Sequence, residues 1–457
     1  MKTLVLEVND AGLRARDESG ELSDSPGCAL VDGSVIVGVE ARAQARLQPG
    51  RVFSDFWGDL SLEALPAGAV GAATFADLAY HHLKSVWSGL EDKFGQVILA
   101  MPGSYTREQL SLLLGIAREC GIPVAGLVDV AVVSAERPAP GRQMMHLDLM
   151  SRRAVLTELG QGKRLRRTRV SSIEDAGLAD FYDVWANVIA DAFVRNTRFD
   201  PMHSAQSEQQ LYDQLPDWVS EISHAGRAEL SLQSGSGELP LVVSSETLAV
   251  AAQPLYRKIT RHIAASSRPG EALTLLATDR LHAFPGLHEA LADNLPQCDV
   301  VELASGAAAL GALRHQDEIL SSGESVAFVT SVSWHRAAQP LSPPQDERPA
   351  RTDLPTHVLY RGRGWVIGSD PLHLGSHPHE REHSIVLTGD LSGISRDHCQ
   401  IAQRDGAVII EDHSRYGTFL NDRRIEGEAR AHYGDVLRLG GSEQVAQLIT
   451  VSKSNGA

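Results

Sequence analysis

Hydroxyl and guanidinium groups occur together in two short segments near the carboxyl end of the sequence. Ser395 and Arg396 precede an apolar run that begins at Cys399, and Arg415 follows a second apolar run that ends at Ile410. A phosphorylated side chain carries nearly two negative charges and three strong acceptor oxygens. Its receptor needs hydroxyl, backbone N–H and guanidinium donors that converge from neighbouring loops. The two segments therefore predict a site for a phosphate ester.

The apolar runs beside these segments have the pattern of β-strands. Cys399 and Ile401 alternate with polar residues, and residues 408–410 form a short β-branched run bounded by polar turns. Consecutive strands of a sandwich place their loops at its two ends, where the loops meet. The pattern predicts an all-β sandwich that holds the phosphate donors at one rim.

Several short motifs follow one another in this part of the sequence. They are Gly368-Ser369, Ser395-Arg396-Asp397-His398, residues 412–421 and residues 434–440. Their order resembles that of a forkhead-associated domain, a family of phosphothreonine-binding modules. The resemblance covers about the last hundred residues and implies a phosphothreonine-bearing protein as partner. It implies that Ser395, Arg396, Arg415, Ser369 and Tyr416 bind the phosphopeptide, and that His398 and Gly417 support the site.

Two positions depart from the pattern of that family. Members that bind phosphate usually carry Arg after the glycine matched to Gly368 and Asn before the glycine matched to Gly417, where this sequence has Ser369 and Tyr416. A serine makes no bidentate ion pair, and a tyrosine ring replaces a small amide. A sandwich kept only as an interaction surface therefore stays open as an alternative.

Four histidines lie close together in residues 373–383. Imidazoles at such short separations can bind zinc or nickel, but no cysteine flanks them and their spacing matches no common closed site. Proline and glycine within the segment are typical of a surface loop. We expect no resident metal there.

Composition and charge limit the classes of function. The chain has 457 residues, of which 43% are hydrophobic and 22% charged, and its formal net charge is −16. The length suits two or three domains, and the acidic balance disfavours nucleic acid or an anionic membrane as partner. The cysteines form no paired motif, which is typical of a reducing cytoplasm. The first eight residues read as a β-strand and not as a secretion signal.

A proline-rich segment at residues 335–355 predicts a tether between two parts. The expected domains are therefore residues 1–334 and 356–457. No internal repeat is evident in the sequence.

Residues 1–334 alternate strand-like apolar runs with amphipathic stretches, which favours an α/β architecture. A strand and turn are predicted at 96–104, further strands at 144–149 and 272–277, and helices at 105–119 and 245–265.

Six short segments of this part match the order of motifs in the actin-like nucleotide-binding domain of DnaK-type heat-shock chaperones. They are residues 53–56, 101–109, 147–149, 227–231, 284–287 and 306–312. The resemblance implies a two-lobed, ribonuclease-H-like ATPase fold, and a complete DnaK-type chaperone as a possible partner.

The segments that would hold ATP depart from that family. The family cradles the triphosphate on glycine-rich turns, because glycine lets backbone N–H groups approach the phosphates. Here the first strand is followed by Asn9-Asp10-Ala11 and the second phosphate strand by residues 150–153, without the glycines. Glu7, Asp148 and Arg152 remain as a degenerate nucleotide site. We expect no catalysis and no cofactor, with ATP as the doubtful exception.

A basic run at residues 163–169 follows a glycine-containing turn. It is either a docking patch for an acidic partner or nucleic acid, or a solvated strand edge that charge protects from aggregation. The second interpretation is favoured.

These observations predict a cytoplasmic, non-catalytic adaptor in which a pseudo-ATPase scaffold is tethered to a phosphothreonine-binding module. One alternative is a chaperone-like ATP-binding protein, or weak ATPase, regulated through that module. Another is a structural assembly subunit that binds neither ligand.

Overall fold

The computed structural model describes most of the chain. The described residues are 2–66, 71–235, 237–268, 270–321, 325–334, 354–361, 363–378, 383–388, 391, 393–404, 406–421, 423–425, 427–432, 435–440 and 444–450. The chain forms two compact units, Met1–Pro343 and Pro344–Ala457. Residues 335–353 of the predicted tether lie outside the described residues.

The N-terminal unit is mixed α/β, as the alternation of patterns predicts. Its strands are β1 (Thr3–Asn9), β2 (Gly12–Asp17), β3 (Gly20–Pro26), β4 (Ala29–Val31), β5 (Val35–Val37), β6 (Val52–Phe53), β7 (Gln96–Met101), β8 (Val124–Asp129), β9 (Arg142–Leu149), β10 (Arg153–Gln161), β11 (Arg164–Glu174), β12 (Arg227–Ser234), β13 (Gly237–Ser244), β14 (Ala272–Ala277), β15 (Cys298–Glu302), β16 (Phe328–Val329) and β17 (Ser331–Ser333).

The helices of this unit are α1 (Val39–Arg42), α2 (Phe75–Ser88), α3 (Arg107–Glu119), α4 (Val130–Ser134), α5 (Leu178–Thr197), α6 (Ala205–Ala225), α7 (Ser245–Ser266), α8 (Leu287–Asn294), α9 (Ala307–Arg314) and α10 (Gln316–Ile319). Helix α3 begins two residues later than predicted, because Thr106 and Gln109 form a reciprocal cap at its start. Within the described residues, no helix is long and apolar enough to cross a lipid bilayer.

Two six-stranded sheets share one topology in five of their strands, while the sixth strand, β16 or β17, lies at opposite ends of the two sheets. Their strand orders are β16-β8-β7-β1-β2-β3 and β15-β14-β9-β10-β11-β17. In each sheet, three strands that follow one another along the chain pair antiparallel. A fourth strand pairs parallel with the first of these three, and a fifth pairs parallel with the fourth. We call residues 2–129 the first lobe and residues 142–302 the second lobe. The two sheets are alike in topology and not in sequence, so the likeness was not visible as a sequence repeat.

The two lobes contact each other through short helices and through one shared segment. A Cβ atom on Gly311 of α9 would lie 1.8 Å from the carbonyl oxygen of Val133 in α4, so this close helix contact requires glycine. Strand β16 pairs with β8 of the first sheet, and β17 pairs with β11 of the second. Residues 328–333 therefore extend both sheets.

The basic run lies largely on β11, and its first part is not the open strand edge that the sequence favoured. Residues 164–166 pair with β17. The Arg167 guanidinium lies 2.6 Å from the Asp129 carboxylate, which is buried. Only the later part of β11 lacks a strand on its outer side within the described residues.

The C-terminal unit is the predicted all-β sandwich. Its strands are β18 (His357–Tyr360), β19 (Arg363–Val366), β20 (Leu372–Gly375), β21 (Ser384–Val386), β22 (Cys399–Arg404), β23 (Ala407–Asp412), β24 (Thr418–Leu420), β25 (Arg423–Arg424), β26 (Glu428–Ala431), β27 (Val436–Leu439) and β28 (Gln444–Ile449). They form the sheets β19-β18-β28-β27-β24-β25 and β21-β20-β22-β23-β26. Buried aliphatic side chains of both sheets share one core, which includes Val358, Ile401 and Leu437.

Candidate functional site

Two loops meet at one rim of the sandwich and carry most of the predicted phosphate donors. The first loop precedes β22, and the second joins β23 to β24. The backbone N–H of Arg415 donates to the Ser395 hydroxyl oxygen at 3.2 Å. The backbone N–H of His413 donates to the His398 carbonyl at 3.0 Å. The structure thus brings the Ser395 and Arg415 segments together.

His398 joins the two loops from beneath. It is fully buried. The Ser395 N–H donates to its Nδ1 at 3.1 Å, so the ring proton sits on Nε2, which lies 3.3 Å from the Gly417 carbonyl and donates to it. Burial lowers the pKa of His398, which keeps the ring neutral. The neutral imidazole therefore positions both loops without adding charge.

The second loop is held in shape by its own hydrogen bonds. The Thr418 hydroxyl donates to an Asp412 carboxylate oxygen at 2.7 Å, and the Ser414 N–H donates to the same oxygen at 3.0 Å. Burial raises the pKa of Asp412, but these hydrogen bonds outweigh it and leave the pKa below its usual range. Gly417 has a φ of +94°, a left-handed conformation that favours glycine. The loop is therefore formed before any ligand arrives.

Two cationic side chains at this rim are unpaired. Arg396 and Arg415 are exposed. Within the part of the chain that the structure describes, neither guanidinium has a carboxylate within 4.0 Å, while the neighbouring Asp397 pairs with His373 at 3.2 Å. The rim therefore presents two guanidinium groups beside a hydroxyl group.

The structure corrects the position predicted for Ser369. Gly368 lies beside Gln403, whose N–H donates to its carbonyl at 2.7 Å, which puts Ser369 at the opposite end of β20 and β22 from Ser395. The serine at the rim is Ser376, whose N–H donates to the Ser395 carbonyl at 3.0 Å.

Gly375, which precedes Ser376, is required by the close approach of two chains. A Cβ atom there would lie 2.0 Å from the Arg396 carbonyl oxygen. The backbone N–H of His377 donates to that same carbonyl at 2.9 Å. The sequence contains two Gly-Ser pairs seven residues apart, and the sequence analysis chose the first. The spacing to Ser395 alone did not distinguish them, and the strand register does.

Tyr416 stands on the surface of the second loop. Its side chain is 60% exposed, so the ring does not fill the space between the loops. Its position beside Arg415 and Gly417 puts an aromatic surface at the edge of the site.

The histidines of residues 373–383 do not converge among the residues described. His373 lies against Asp397, while the ring nitrogens of His383 lie 3.1 Å and 3.2 Å from the carbonyls of Pro371 and Val366. No group of three metal-ligating side chains occurs in the described residues. His379 lies outside them.

The carboxylates of the predicted nucleotide site lie at a small cavity between the two lobes of the N-terminal unit. This interlobe cavity has a volume of about 20 Å³, and Glu7, Asn9, His146, Asp148 and Arg280 are among the residues that line it. A cavity of that size holds roughly one water molecule.

An arginine side chain occupies the neighbourhood of the Asp148 carboxylate. The Arg280 guanidinium lies 3.1 Å from Asp148, and the two side chains are 9% and 5% exposed. The Thr278 hydroxyl donates to the same carboxylate oxygen at 2.8 Å. Burial raises the pKa of Asp148, but the Arg280 charge leads the opposing effects and the pKa stays below its usual range. Asp148 is therefore an ionised carboxylate that already has its cation.

Two contacts at the cavity join the first lobe to the second. Arg14 of the first lobe lies 2.8 Å from Asp279 of the second. The Asn9 amide donates to Asp148 at 3.3 Å.

A second group of contacts lies at Arg46 of the first lobe. Its guanidinium lies 3.3 Å from Asp183, 3.4 Å from Glu208 and 3.6 Å from the centre of the Tyr212 ring. The lobes are thus joined both at the cavity and at the α5 and α6 helices.

The third residue predicted for the nucleotide site lies elsewhere. Arg152 is among the exposed residues and pairs with Asp180 at 3.1 Å and Asp183 at 2.8 Å. It does not line the interlobe cavity. Arg280 and Arg14 were not predicted as residues of this site, because their partners Asp148 and Asp279 lie far from them along the chain.

Comparison with known protein families identifies the C-terminal rim. Residues 365–440 match the FHA domain. They include both loops and the residues that join them, so this unit contains an FHA domain, a phosphothreonine-peptide-binding module of protein interaction. A search of curated proteins found no match to the chain.

Proposed function

We propose that this chain is a non-catalytic adaptor. Its FHA domain binds a phosphothreonine-bearing protein, and its N-terminal unit is a scaffold of actin-like, DnaK-type architecture that has lost ATPase activity. The observation that carries the proposal is a pair of exposed guanidinium groups, Arg396 and Arg415, which form no ion pair among the described residues and lie beside the Ser395 hydroxyl at the FHA rim.

The chemistry of the rim suits a phosphate monoester. Because the Ser395 oxygen accepts a hydrogen bond from the Arg415 N–H, its own proton is left to donate to phosphate. A charge-assisted hydrogen bond contributes roughly 1.5–3 kcal/mol. Two such bonds favour the phosphorylated peptide by roughly 3 kcal/mol or more, which is on the order of a hundredfold in affinity.

A phosphothreonine peptide library presented to the full chain tests this part. We expect selection of phosphorylated sequences, and a loss of on the order of a hundredfold in the Arg396→Ala, Arg415→Ala double variant. Arg404→Ala is the matched control, because Arg404 is an exposed FHA arginine at the other end of β22 that pairs with Glu411 at 3.2 Å. Absence of phosphopeptide binding would instead favour a structural subunit that binds neither ligand, and equal binding of phosphorylated and unphosphorylated peptides would favour a sandwich kept only as an interaction surface.

The actin-like assignment rests on the duplicated topology. Each lobe has an antiparallel trio of strands continued by two parallel strands, and the two lobes meet across a cavity that includes Glu7 and Asp148. This arrangement agrees with the order of DnaK-like motifs along the sequence.

The closed interlobe cavity supports the loss of ATPase activity. Phosphoryl transfer is catalysed mainly by positioning and by magnesium that neutralises the developing charge. Here the charge of the Asp148 carboxylate is neutralised by Arg280, and the interlobe cavity has a volume of about 20 Å³. A phosphate-release assay with magnesium-ATP should show no turnover above background. Turnover that disappears in Asp148→Ala would support the ATPase alternative.

The tether would raise the local concentration of the phosphoprotein beside whatever the scaffold binds. A DnaK-type chaperone in the cytoplasm remains our prediction for that second partner. Co-purification of such a chaperone with the full chain, before and after phosphatase treatment, would show whether it joins through the scaffold or through the FHA domain.

A further inference from the structure

A basic groove runs along the outer edge of the second sheet. It has a volume of about 700 Å³ and lies between the end of β11 and the exposed face of α7. The residues that line it are Ser172, Ile173, Glu174, Pro254, Arg257, Lys258, Arg261 and His262. It belongs neither to the FHA rim nor to the interlobe cavity.

One wall of the groove is an unpaired strand edge. Strand β11 pairs with β10 along its length on one side, while β17 covers only residues 164–166 on the other. The Arg167 N–H donates to the Thr330 carbonyl at 2.9 Å. Beyond it, in residues 168–174, no described backbone group bonds to the outer edge. Alternate N–H and C=O groups of an antiparallel strand face its free side, so this edge can accept another strand.

The other wall carries an excess of positive charge. Arg257, Lys258 and Arg261 are exposed on successive turns of α7. Lys258 lies 3.5 Å from Asp175, whereas Arg257 and Arg261 have no ion pair among the described residues. Glu174 is the acidic residue of the lining. In a chain with a net charge of −16, such a local excess of cations is complementary to an acidic segment.

We propose that the basic groove binds an extended acidic segment of a partner protein. The segment pairs with residues 168–174 as an added strand, and its carboxylates meet Arg257 and Arg261. About seven residues of strand span roughly 24 Å, which is enough for a recognition segment of six or seven residues. The lining contains no Phe, Tyr or Trp, and its imidazole, His262, lies 2.8 Å from the Ser171 hydroxyl, so the larger stacking surfaces that single-stranded nucleic acid needs are missing from it.

The test uses the full chain and a fluorescent library of nine-residue peptides. Glu alternates with Val, Ile or Thr in one set, Lys replaces Glu in a second set, and oligothymidine is the nucleic-acid probe. We expect the Glu set alone to bind, with an affinity that falls as salt is raised. Arg257→Glu combined with Arg261→Glu should weaken binding about tenfold or more. Because both side chains are exposed, the thermal unfolding of this variant should match that of the parent.

Arg195→Glu with Arg227→Glu is the matched control, since both arginines are exposed in the same unit and neither lines the groove. This control should leave the affinity unchanged. N-methylation of alternate amides of a selected peptide tests strand pairing, because methyl groups along one edge should abolish binding and along the other should not. The proposal is wrong if the Lys set or oligothymidine binds as well as the Glu set, if no Glu peptide binds, or if the groove variant binds as the parent does.

Discussion

Removal of the Arg280 side chain should strongly destabilise the N-terminal unit. The guanidinium lies 3.1 Å from the Asp148 carboxylate, and both side chains are buried. At an effective dielectric constant near 20, two charges at that separation interact by roughly 5 kcal/mol. Breaking a buried pair by removing one partner costs about 3–5 kcal/mol, because the other charge stays buried without compensation. We therefore expect Arg280→Ala to lower the free energy of unfolding by about 4 kcal/mol.

Urea unfolding monitored by tryptophan fluorescence measures this loss, since five of the six tryptophans lie in the N-terminal unit. Arg280→Met with Asp148→Asn removes both charges and should cost less than the sum of the two single changes, by about 2 kcal/mol or more. A loss below about 1 kcal/mol in Arg280→Ala, or strict additivity in the cycle, would refute the view that this buried ion pair stabilises the N-terminal unit.

Three further predictions concern local geometry. Because burial lowers the pKa of His398, the unfolded FHA domain binds more protons than the folded one below about pH 6.5. The stability of the domain should therefore fall as the pH drops through that value, by at most about 1.4 kcal/mol per pH unit. Chemical unfolding measured across this range would contradict the prediction if acid stabilised the domain. Gly375→Ala should weaken phosphopeptide binding and lower the stability of the FHA domain by about 1–3 kcal/mol, because its Cβ would lie 2.0 Å from the Arg396 carbonyl oxygen. In the control Gly364→Ala, where the nearest atom to the added Cβ is 3.8 Å away, peptide titration should show no change. Gly311→Ala should lower the melting temperature, because the added Cβ would separate α9 from α4. In the control Gly115→Ala in α3, the added Cβ meets nothing within 4 Å, so this change should be neutral or stabilise by about 0.5–1 kcal/mol. Equal melting temperatures of the two variants would contradict a glycine-dependent contact between these helices.

Local motifs were informative about the FHA rim because its loops are short and the strands beside them have a clear alternating pattern. Ser395 was indicated by its own donor chemistry, while His398 and Gly417 were predicted from the resemblance of the motif order to forkhead-associated domains. The choice between Gly368 and Gly375 could not be made from the sequence, because it depends on which end of β20 faces Ser395. That register is set by pairing between strands and not by a local pattern.

The contacts around the interlobe cavity were beyond sequence reasoning for a different reason. Arg14 meets Asp279 across 265 positions of the chain, and Arg280 meets Asp148 across 132. No sequence periodicity links residues so far apart. The lack of glycines at residues 9–11 and 150–153 did predict that the phosphate-binding turns of the DnaK-type family are not present here. The sequence thus indicated that a phosphate cradle was absent, and the structure shows which side chains lie there.

Calorimetric titration of one sample of the full chain, first with magnesium-ATP and then with a selected phosphothreonine peptide, tests the central claim most directly. We expect no heat of binding from the nucleotide and a saturable isotherm from the peptide that disappears when its phosphate is removed. Micromolar binding of ATP, or a peptide isotherm that does not depend on the phosphate, would contradict the account.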